Sequence, residues 1–490
     1  MAANSADRPN ILVFFCDQLR TDLLGCYGGE RVRTRHLDAF AQESVVFERA
    51  YTPCALCSPA RASLMTGLYP HAHQMFNNST PSYSYCQHLR PDPQTLGDWA
   101  KAETGYETAY FGKWHIGPAE DLFNSAFDHT HPRPYEGGPP FLANSHWHPG
   151  PSLGEVGQSL AGGNAGTLRI PMGEFPDVLA ANLTRDFIRD REARRPPFLA
   201  FCAFPGPHSP WFVPDDFGIR YDPADIAPWP NRHDDLAGKP IYQKKIRLQD
   251  VARRSKSPES ADHLPELLAG LFSYMELIDE QVGRVLEALE ESGLAEDTTV
   301  VFTADHGDMA GAHGFLSKGG YMYDETARIP MTVRPAGGTG PQRLSAPVHL
   351  MDLTATIMHT MADEPPTSMA THDLHGQSLL PLIDGGEWPR EVHYAEYHSD
   401  WYGHYSARMV TDGRWKLVYN LTDYCELYDL EADPGELENR FYDASVRDVR
   451  DRYLALLFAE ARRLGDGHLR LFSPDVEDGL PPGLADGLSF

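Results

Sequence analysis

Residues 53–67 read Pro53-Cys-Ala-Leu-Cys-Ser-Pro-Ala-Arg-Ala-Ser-Leu-Met-Thr-Gly67, the most specific pattern in the sequence. Within it, residues 60–65 are predicted to form the first turns of a helix, and Pro59 suits the first helical position because no N–H is needed there. Cys57 would then lie at the N-terminus of this helix, where N–H groups and the dipole favour an anion. Arg61 lies four residues later on the same helix face and can reach back toward Cys57. The pattern predicts a nucleophile and a cation that converge on a tetrahedral oxyanion.

The segment Cys57-Ser-Pro-Ala-Arg61, continued by Leu64-Met-Thr-Gly67, resembles the signature of the type I sulfatases. That resemblance implies that a formylglycine-generating enzyme oxidises Cys57 after translation to formylglycine (3-oxoalanine), whose hydrated aldehyde is the nucleophile. The alternative is a redox pair or half a zinc site made by Cys54 and Cys57. No second Cys-x-x-Cys follows in the sequence, and the Pro-x-Arg element has no purpose in such a site. The sulfatase interpretation is therefore favoured.

The composition is that of a soluble globular protein. The 490 residues are 41% hydrophobic and 23% charged, which suits one large α/β domain with a smaller companion, or three average domains. Asp and Glu number 69 against 42 Lys and Arg, giving a net charge of −27. Such a field repels nucleic acid and anionic membranes. An anionic substrate would need a local cluster of cations to overcome it.

The cysteines and the N-terminus indicate a reducing compartment. Seven cysteines are scattered through the chain, an odd number without a disulfide framework. The first ten residues are polar, and the apolar run at 11–16 is too short for a signal-peptide core or a membrane span. We therefore expect a cytoplasmic protein, unless a leader is missing from this sequence.

Three apolar runs end in polar residues, at 11–16, 197–204 and 298–304. Each has the form of a buried strand in a parallel sheet, which delivers its last residues to the carboxyl edge where α/β proteins bind ligands. The first run is followed by Asp17 and Gln18, which offer hard oxygen ligands. The same pair could also be only a strand-ending turn, and the neighbouring signature favours the ligand interpretation.

The remaining pattern predicts an α/β protein with two parts. Residues 1–385 are expected to form a catalytic domain with a large, mostly parallel central sheet between helices, and the resemblance implies that this is alkaline-phosphatase-like. Within it, the Gly-, Pro- and His-rich residues 128–173 are interpreted as a loop insertion that could act as a lid, and residues 214–258 as a second long loop. Residues 386–490 are expected to form a small antiparallel sheet with a helix, beginning from an Asp-Gly hairpin turn.

The resemblance implies one divalent metal ion held by the two strand-end pairs, Asp17 with Gln18 and Asp305 with His306, together with converted Cys57. The commonest family pattern pairs Asp-Asp with Asp-Asn, so this chain offers less negative charge and one imidazole. Ca²⁺ is the first expectation because it prefers oxygen ligands. Mn²⁺ and Zn²⁺ are the alternatives because they accept imidazole.

Five further residues match positions that face the substrate in that family. The Lys113-Trp-His115 segment is similar to one whose lysine holds a sulfate oxygen and whose histidine partners the formylglycine hydroxyl. Lys318 resembles a second sulfate-binding lysine. His208 stands where a histidine faces the leaving-group oxygen, so it is the candidate general acid, and Asn78 matches a substrate-facing asparagine. A surface lysine and a stacked histidine are the alternatives for Lys113 and His115.

Together these matches imply an arylsulfatase-like hydrolase of small-molecule sulfate monoesters. The metal and three cations would neutralise the nonbridging sulfate oxygens: Arg61, Lys113 and Lys318. As the resemblance implies, an oxygen of converted Cys57 attacks sulfur and the alcohol leaves with help from His208. The second hydroxyl then loses a proton to His115, which expels sulfate and regenerates the aldehyde.

Four alternatives stay open at this point. The Asp-Gln pair also occurs in phosphonate monoester hydrolases and choline sulfatases, so a phosphonate monoester hydrolase, a phosphodiesterase or a choline sulfatase of the same superfamily would fit it. Lys113 and His115 favour a sulfatase, with promiscuity toward phosphate and phosphonate esters expected. Outside catalysis, an unconverted pseudoenzyme would bind anions only, but an idle site has no reason to keep so many costly polar groups. The alcohol portion of the substrate and a homo-oligomeric state are left open.

Overall fold

The computed structural model describes residues 8–79, 86–117, 127–131, 154–191, 196–254, 263–362, 366–398 and 404–472. In chain order the strands are β1 (Asn10–Cys16), β2 (Val45–Phe47), β3 (Ala50–Tyr51), β4 (Glu107–Gly112), β5 (His129–His131), β6 (Glu155–Leu160), β7 (Ala165–Arg169), β8 (Phe198–Ala203), β9 (Trp211–Pro214), β10 (Thr298–Ala304), β11 (Met331–Arg334), β12 (Gln342–Leu344), β13 (Val348–His349), β14 (Ser368–Met369), β15 (His372–Asp373), β16 (His393–Tyr397), β17 (Ala407–Thr411), β18 (Trp415–Asn420) and β19 (Glu426–Asp429).

The α-helices are α1 (Arg35–Ala41), α2 (Cys57–Thr66), α3 (Pro70–His73), α4 (Leu96–Glu103), α5 (Pro176–Arg189), α6 (Ile241–Arg254), α7 (Leu264–Glu291), α8 (Asp324–Ala327), α9 (Asp352–Met361), α10 (Leu380–Ile383), α11 (Arg447–Leu464) and α12 (Gly467–Phe472). Within the described ranges, no helix is both long enough and apolar enough to span a membrane.

An eight-stranded sheet forms the centre, in the order β12-β2-β11-β10-β1-β8-β4-β5. Strand β1 pairs in parallel with both β10 and β8, so that Phe14 lies beside Phe302 on one side and Cys202 on the other. Strand β4 continues the parallel arrangement next to β8, and β11 is antiparallel to its neighbours. The carboxyl ends of β10, β1, β8 and β4 therefore lie side by side at one edge.

Helices cover both faces of this sheet because its central strands are apolar on both faces. Leu12 and Phe14 of β1 join a core cluster with α5 and α7, whereas Val13 and Phe15 join a second cluster with α2, α4 and α9. The predicted α/β class, with a mostly parallel sheet between helices, is confirmed.

The C-terminal part carries a separate antiparallel sheet of β16–β19 with helix α11 packed on it. Strands β17 and β18 are joined at Asp412-Gly413, where Gly413 has φ +87° and the Asp412 carboxylate accepts the N–H of Arg414. This sheet, its helix and the Asp-Gly turn match the prediction. A domain boundary at residue 385 stays a prediction.

Two predicted loops contain regular structure. Part of the expected insertion at 128–173 forms β6 and β7, which join β9 in a three-stranded sheet, because the small buried residues Ala165 and Thr167 let β7 pack against α7. Part of the expected loop at 214–258 forms helix α6. Residues 132–153, the part of the expected lid at 128–173 that precedes β6, lie outside the described residues.

Candidate active site

The polar residues that follow the central strands continue the sheet's hydrogen-bond ladder. The N–H of Asp17 donates to the carbonyl of Gly206 at 3.0 Å, and the N–H of Asp305 donates to the carbonyl of Cys16 at 3.1 Å. The N–H of Lys113 donates to the carbonyl of Ala203 at 2.9 Å. Backbone pairing thus fixes three of the predicted site residues at the same sheet edge.

Cys57 is the first residue of α2 and is buried beside these strand ends. Its Sγ lies 3.2 Å from Nε2 of His306 and 3.7 Å from Oδ1 of Asp17. Burial and Asp17 would raise the pKa of the Cys57 thiol, but Lys113 and the other nearby cations outweigh them, and the pKa lies below its ordinary value. The site therefore stabilises negative charge at position 57.

Four buried side chains converge closely enough to share one ion. The ligand atoms of Asp17, Cys57, Asp305 and His306 all lie within 4.8 Å of one another. Two carboxylates and an imidazole suit a divalent cation, and oxygens at position 57 would complete the set. The donor set therefore fits the divalent metal ion that the resemblance implies.

Arg61 is directed to the carboxylates. Its Nε donates to Asp305 at 2.9 Å, its Nη2 to Asp17 at 3.0 Å and its Nη1 to the carbonyl of Lys113 at 2.7 Å. The guanidinium also lies 4.7 Å above the ring of Phe15. The structure thus differs from the expectation that Arg61 reaches back toward Cys57, because two buried carboxylates compete for its donors.

Gln18 was expected to be a metal ligand, and both of its side-chain polar atoms are bonded to other residues. Its Oε1 accepts from Nζ of Lys318, and its Nε2 donates to Oδ2 of Asp308. Its backbone is left-handed, with φ 64°, and its N–H donates to Asp305 at 3.0 Å. Sequence reasoning missed Asp308, although it lies in the same polar run as Asp305.

The two predicted sulfate-binding lysines have different partners. Nζ of Lys113 lies 2.6 Å from Oδ2 of Asp17, in a buried ion pair. Burial alone would raise the pKa of Asp17, but Lys113 and Arg61 hold that pKa well below its usual range. Lys318 instead bonds to the uncharged side chain of Gln18.

His208 and Lys318 form a pair on the other side of the site. Nε2 of His208 lies 2.6 Å from Nζ of Lys318, and Nδ1 lies 2.5 Å from the carbonyl of Ser209. Burial, followed by the charge of Lys318, holds the pKa of His208 well below its usual range. The imidazole is therefore neutral, with its proton on Nδ1 and with Nε2 accepting from the ammonium.

Asn78 and His115 are both tied to Ser58, in the first turn of α2. The N–H of Ser58 donates to Oδ1 of Asn78 at 3.0 Å, and Nδ2 of Asn78 lies 3.9 Å from Sγ of Cys57. The hydroxyl of Ser58 donates to the carbonyl of His115. His115 is buried and has φ 63°, an uncommon conformation outside glycine that often marks functional positions.

Another buried histidine–carboxylate cluster lies around His71, Glu396 and Asp466. Nδ1 of His71 lies 2.9 Å from Glu396, and its Nε2 lies 3.0 Å from the carbonyl of Leu464. Asp466 accepts from Arg408 and Tyr394. Because these protein groups already use the ligand atoms, the cluster is an ion-pair network.

Two family models match the sequence. One described as Sulfatase covers residues 9–363, and one described as N-sulphoglucosamine sulphohydrolase, C-terminal, covers residues 311–462. The uncharacterized sulfatase YidJ of Escherichia coli (strain K12) is 30% identical over 468 residues, covering 91% of this chain and 85% of that protein. An arylsulfatase of Clostridium perfringens is 27% identical over 497 residues, covering 94% of this chain and 96% of that protein.

The fold also matches solved structures. The phosphonate monoester hydrolase of Agrobacterium radiobacter superimposes with a TM-score of 0.71 at 24% identity, covering 93% of this chain and 96% of that one. At this identity the match supports the fold alone. It agrees with the alkaline-phosphatase-like architecture that the sequence pattern implied.

Proposed function

The chain belongs to the sulfatase family of hydrolases, in the alkaline phosphatase superfamily, and we propose that it hydrolyses sulfate monoesters of small molecules with a formylglycine made from Cys57 and one divalent metal ion. The observation that carries this proposal is the convergence of Asp17, Cys57, Asp305 and His306 within 4.8 Å. Two lysines lie beside this cluster, so the site has cations for an anionic ester in a chain of net charge −27.

The metal would be held by Asp17, Asp305, His306 and the oxygens of converted Cys57. When bound, the ion supplies a Lewis acid for the sulfate oxygens, and formylglycine supplies a hydrated aldehyde as nucleophile. The carboxylates fit Ca²⁺, and the imidazole equally fits Mn²⁺ or Zn²⁺. Arg61 donates to both carboxylates and so fixes their orientation.

Lys113 and Lys318 would bind nonbridging oxygens of the ester. Asp17 holds Lys113 in a buried ion pair, whereas Lys318 bonds to the side chains of Gln18 and His208. We propose that the proton which Nζ of Lys318 donates to Nε2 of His208 is the one that passes to the leaving alcohol oxygen. The pair would act as the general acid of the first step.

Maturation requires a partner enzyme that acts before folding is complete. Cys57 is buried in the folded chain, so a formylglycine-generating enzyme could not reach it there. We propose that conversion occurs while residues 53–67 are still extended.

A phosphonate monoester hydrolase is the competing activity, because the resemblance of the Asp17-Gln18 pair extends to that class of enzyme. The discriminating experiment compares kcat/KM for 4-nitrophenyl sulfate and for 4-nitrophenyl phenylphosphonate, which share one leaving group, with the same preparation. We expect the higher value on the sulfate, with phosphonate turnover as a side activity. A higher value on the phosphonate would contradict the proposal, and Cys57→Ala serves as the control for background hydrolysis.

A further inference from the structure

Asp177 is a buried carboxylate outside the metal cluster, in the first turn of α5. Its Oδ1 accepts the N–H of Gly206 at 2.9 Å, and its Oδ2 accepts the hydroxyl of Tyr274 at 2.7 Å. Tyr274 lies on α7, so this carboxylate joins two helices to the segment that follows strand β8. Neither the sequence pattern nor the family match assigns it a role.

Gly206 connects this carboxylate to both sides of the active site. Its carbonyl accepts the N–H of Asp17 at 3.0 Å, and His208 follows two residues later in the chain. A Cβ at position 206 would lie 2.4 Å from the ring of Tyr274, so this peptide fits against Tyr274 only without a side chain. Asp177 thus bonds to the N–H of Gly206, and the carbonyl of Gly206 bonds to the N–H of Asp17.

We propose, on the premise of the function given above, that Asp177 is a positioning residue for this site. By holding Gly206 it fixes the backbone of the metal ligand Asp17 and the start of the loop that carries His208. It acts through one peptide group, without touching the substrate.

The two hydrogen bonds to Asp177 explain why a carboxylate is needed at this position. Two donors approach from different elements, and only an ionised carboxylate offers two acceptor oxygens without presenting a donor. Burial raises the pKa of Asp177 to about 6, so keeping it charged at neutral pH costs free energy. A group kept at such a cost is expected to have a function that an apolar residue cannot supply.

Asp279 provides a matched control within the same helix as Tyr274. Its buried carboxylate accepts the N–H of His36 at 3.1 Å and that of Leu37 at 2.8 Å. It therefore has the same chemistry as Asp177, a buried carboxylate that clamps backbone N–H groups. Asp279 holds helix α1, however, and none of its contacts involves a residue of the active site.

The experiment measures how kcat/KM depends on the basicity of the leaving group, using a series of aryl sulfates. Asp177→Ala removes both acceptors, Asp177→Asn keeps one acceptor for Gly206, and Tyr274→Phe removes only the tyrosine bond. We expect Asp177→Ala to lower kcat/KM about 10²-fold and to steepen the dependence on leaving-group basicity, because His208 is displaced. Asp177→Asn should recover to within about tenfold of the wild type, and Asp279→Asn should leave the slope unchanged.

A second readout does not depend on turnover. After metal removal, Mn²⁺ binding is titrated by calorimetry, and Asp177→Ala is expected to weaken it about tenfold through Asp17, as outer-shell partners of metal ligands do. If Asp177→Ala does not fold, both measurements are made on Tyr274→Phe and Asp177→Asn. Each of these variants should change the leaving-group slope and the Mn²⁺ affinity in the same direction as expected for Asp177→Ala, but by less.

An unchanged leaving-group slope together with unchanged Mn²⁺ affinity would overturn the positioning role. So would an equal change of slope in Asp279→Asn, which would indicate a general loss of rigidity. A wild-type enzyme that turns over no sulfate ester would overturn the proposed function instead, and the Mn²⁺ titration would still decide the role of Asp177.

Discussion

The active site is built in two ways on its two sides. Asp17, Asp305 and Lys113 follow directly on strands, and backbone hydrogen bonds continue the sheet ladder to each of them. His208 and Lys318 lie on loops, where no ladder reaches. The side of the proposed metal cluster therefore takes its geometry from the sheet, whereas the proposed leaving-group side needs support from elsewhere.

That support comes from buried polar side chains in distant parts of the chain. The peptide of Gly206, which Asp177 holds, precedes His208, and His313, buried with φ 52°, lies in the same loop as Lys318. Nδ1 of His313 lies 2.6 Å from Asp234, and its Nε2 lies 3.0 Å from Nδ2 of Asn231. The groups at strand ends are thus positioned by local backbone pairing. The groups on loops are positioned by buried side chains whose hydrogen bonds are all made within a network.

The largest effect is expected on the strand side. Asp305→Asn removes one charge from the metal cluster and from the Arg61 ion pair, so kcat/KM should fall about 10³-fold. The measurement is turnover together with metal content by mass spectrometry of the dialysed protein. Asp352→Asn is the matched control because Asp352 forms a buried pair with Arg390 away from the site, and full metal content in Asp305→Asn would contradict the assignment.

A smaller and selective effect is expected from His208→Ala on the loop side. Without the imidazole that accepts from Lys318, the ammonium is no longer oriented to protonate the leaving alcohol, so an alkyl sulfate should lose about 10²-fold in kcat/KM. An activated aryl sulfate such as 4-nitrophenyl sulfate should lose much less because its phenolate leaves readily. Equal losses on both substrates would show that His208 does not assist the leaving group.

Weakening the anchor of the Lys318 loop should have a milder effect. Asp234→Asn replaces the partner of His313 and of Lys239, whose Nζ lies 2.6 Å from the carboxylate. We expect kcat/KM to fall about tenfold through loosening of Lys318. The exposed Asp216→Asn serves as the control, and unchanged kinetics in Asp234→Asn would separate this network from the site.

Asp279 should affect only stability, and in a pH-dependent way. Burial raises its pKa to about 7, so the folded carboxyl holds its proton more tightly than the unfolded one. The contribution of Asp279 to stability therefore falls as pH rises from about 4 to about 7. The free energy of unfolding is measured in urea at pH 5 and pH 8 for both proteins. The difference between Asp279→Asn and wild type should shift by about 2–4 kcal/mol in favour of Asp279→Asn when the pH is raised from 5 to 8. A pH-independent difference would contradict this.

The strand side could be predicted from the sequence because local pattern determines it. Apolar runs that end in Asp17 and Asp305 indicate parallel strands, and parallel strands bring their ends together. The resemblance to the sulfatases, confirmed by the family match, rests on the equally local stretch at 53–67.

The directions of individual side chains could not be predicted in the same way. Helical spacing placed Arg61 near Cys57 but could not show that two buried carboxylates would take its donors. Gln18 stays a predicted ligand from its position after a strand, and the sequence did not indicate its side-chain partners, Lys318 and Asp308, which lie on another loop. Their pairing depends on tertiary contacts that no local pattern encodes.

The same limit applies to elements outside the sheet. Helix α6 lies in a stretch rich in Asp, Pro and Lys, and its first turn is fixed from a distance, because the Asp423 carboxylate accepts the N–H groups of Ile241 and Tyr242. Asp177 gave no sequence signal because its role depends on Gly206 and Tyr274, which are distant in the chain.

The most direct test of the central claim is a mass spectrum of the tryptic peptide 50–61, alkylated before digestion, from a preparation that hydrolyses 4-nitrophenyl sulfate. We predict one alkylated cysteine, Cys54, and an aldehyde at position 57. Two alkylated cysteines in an active preparation would show that the unmodified thiol suffices, and would contradict the proposed formylglycine mechanism.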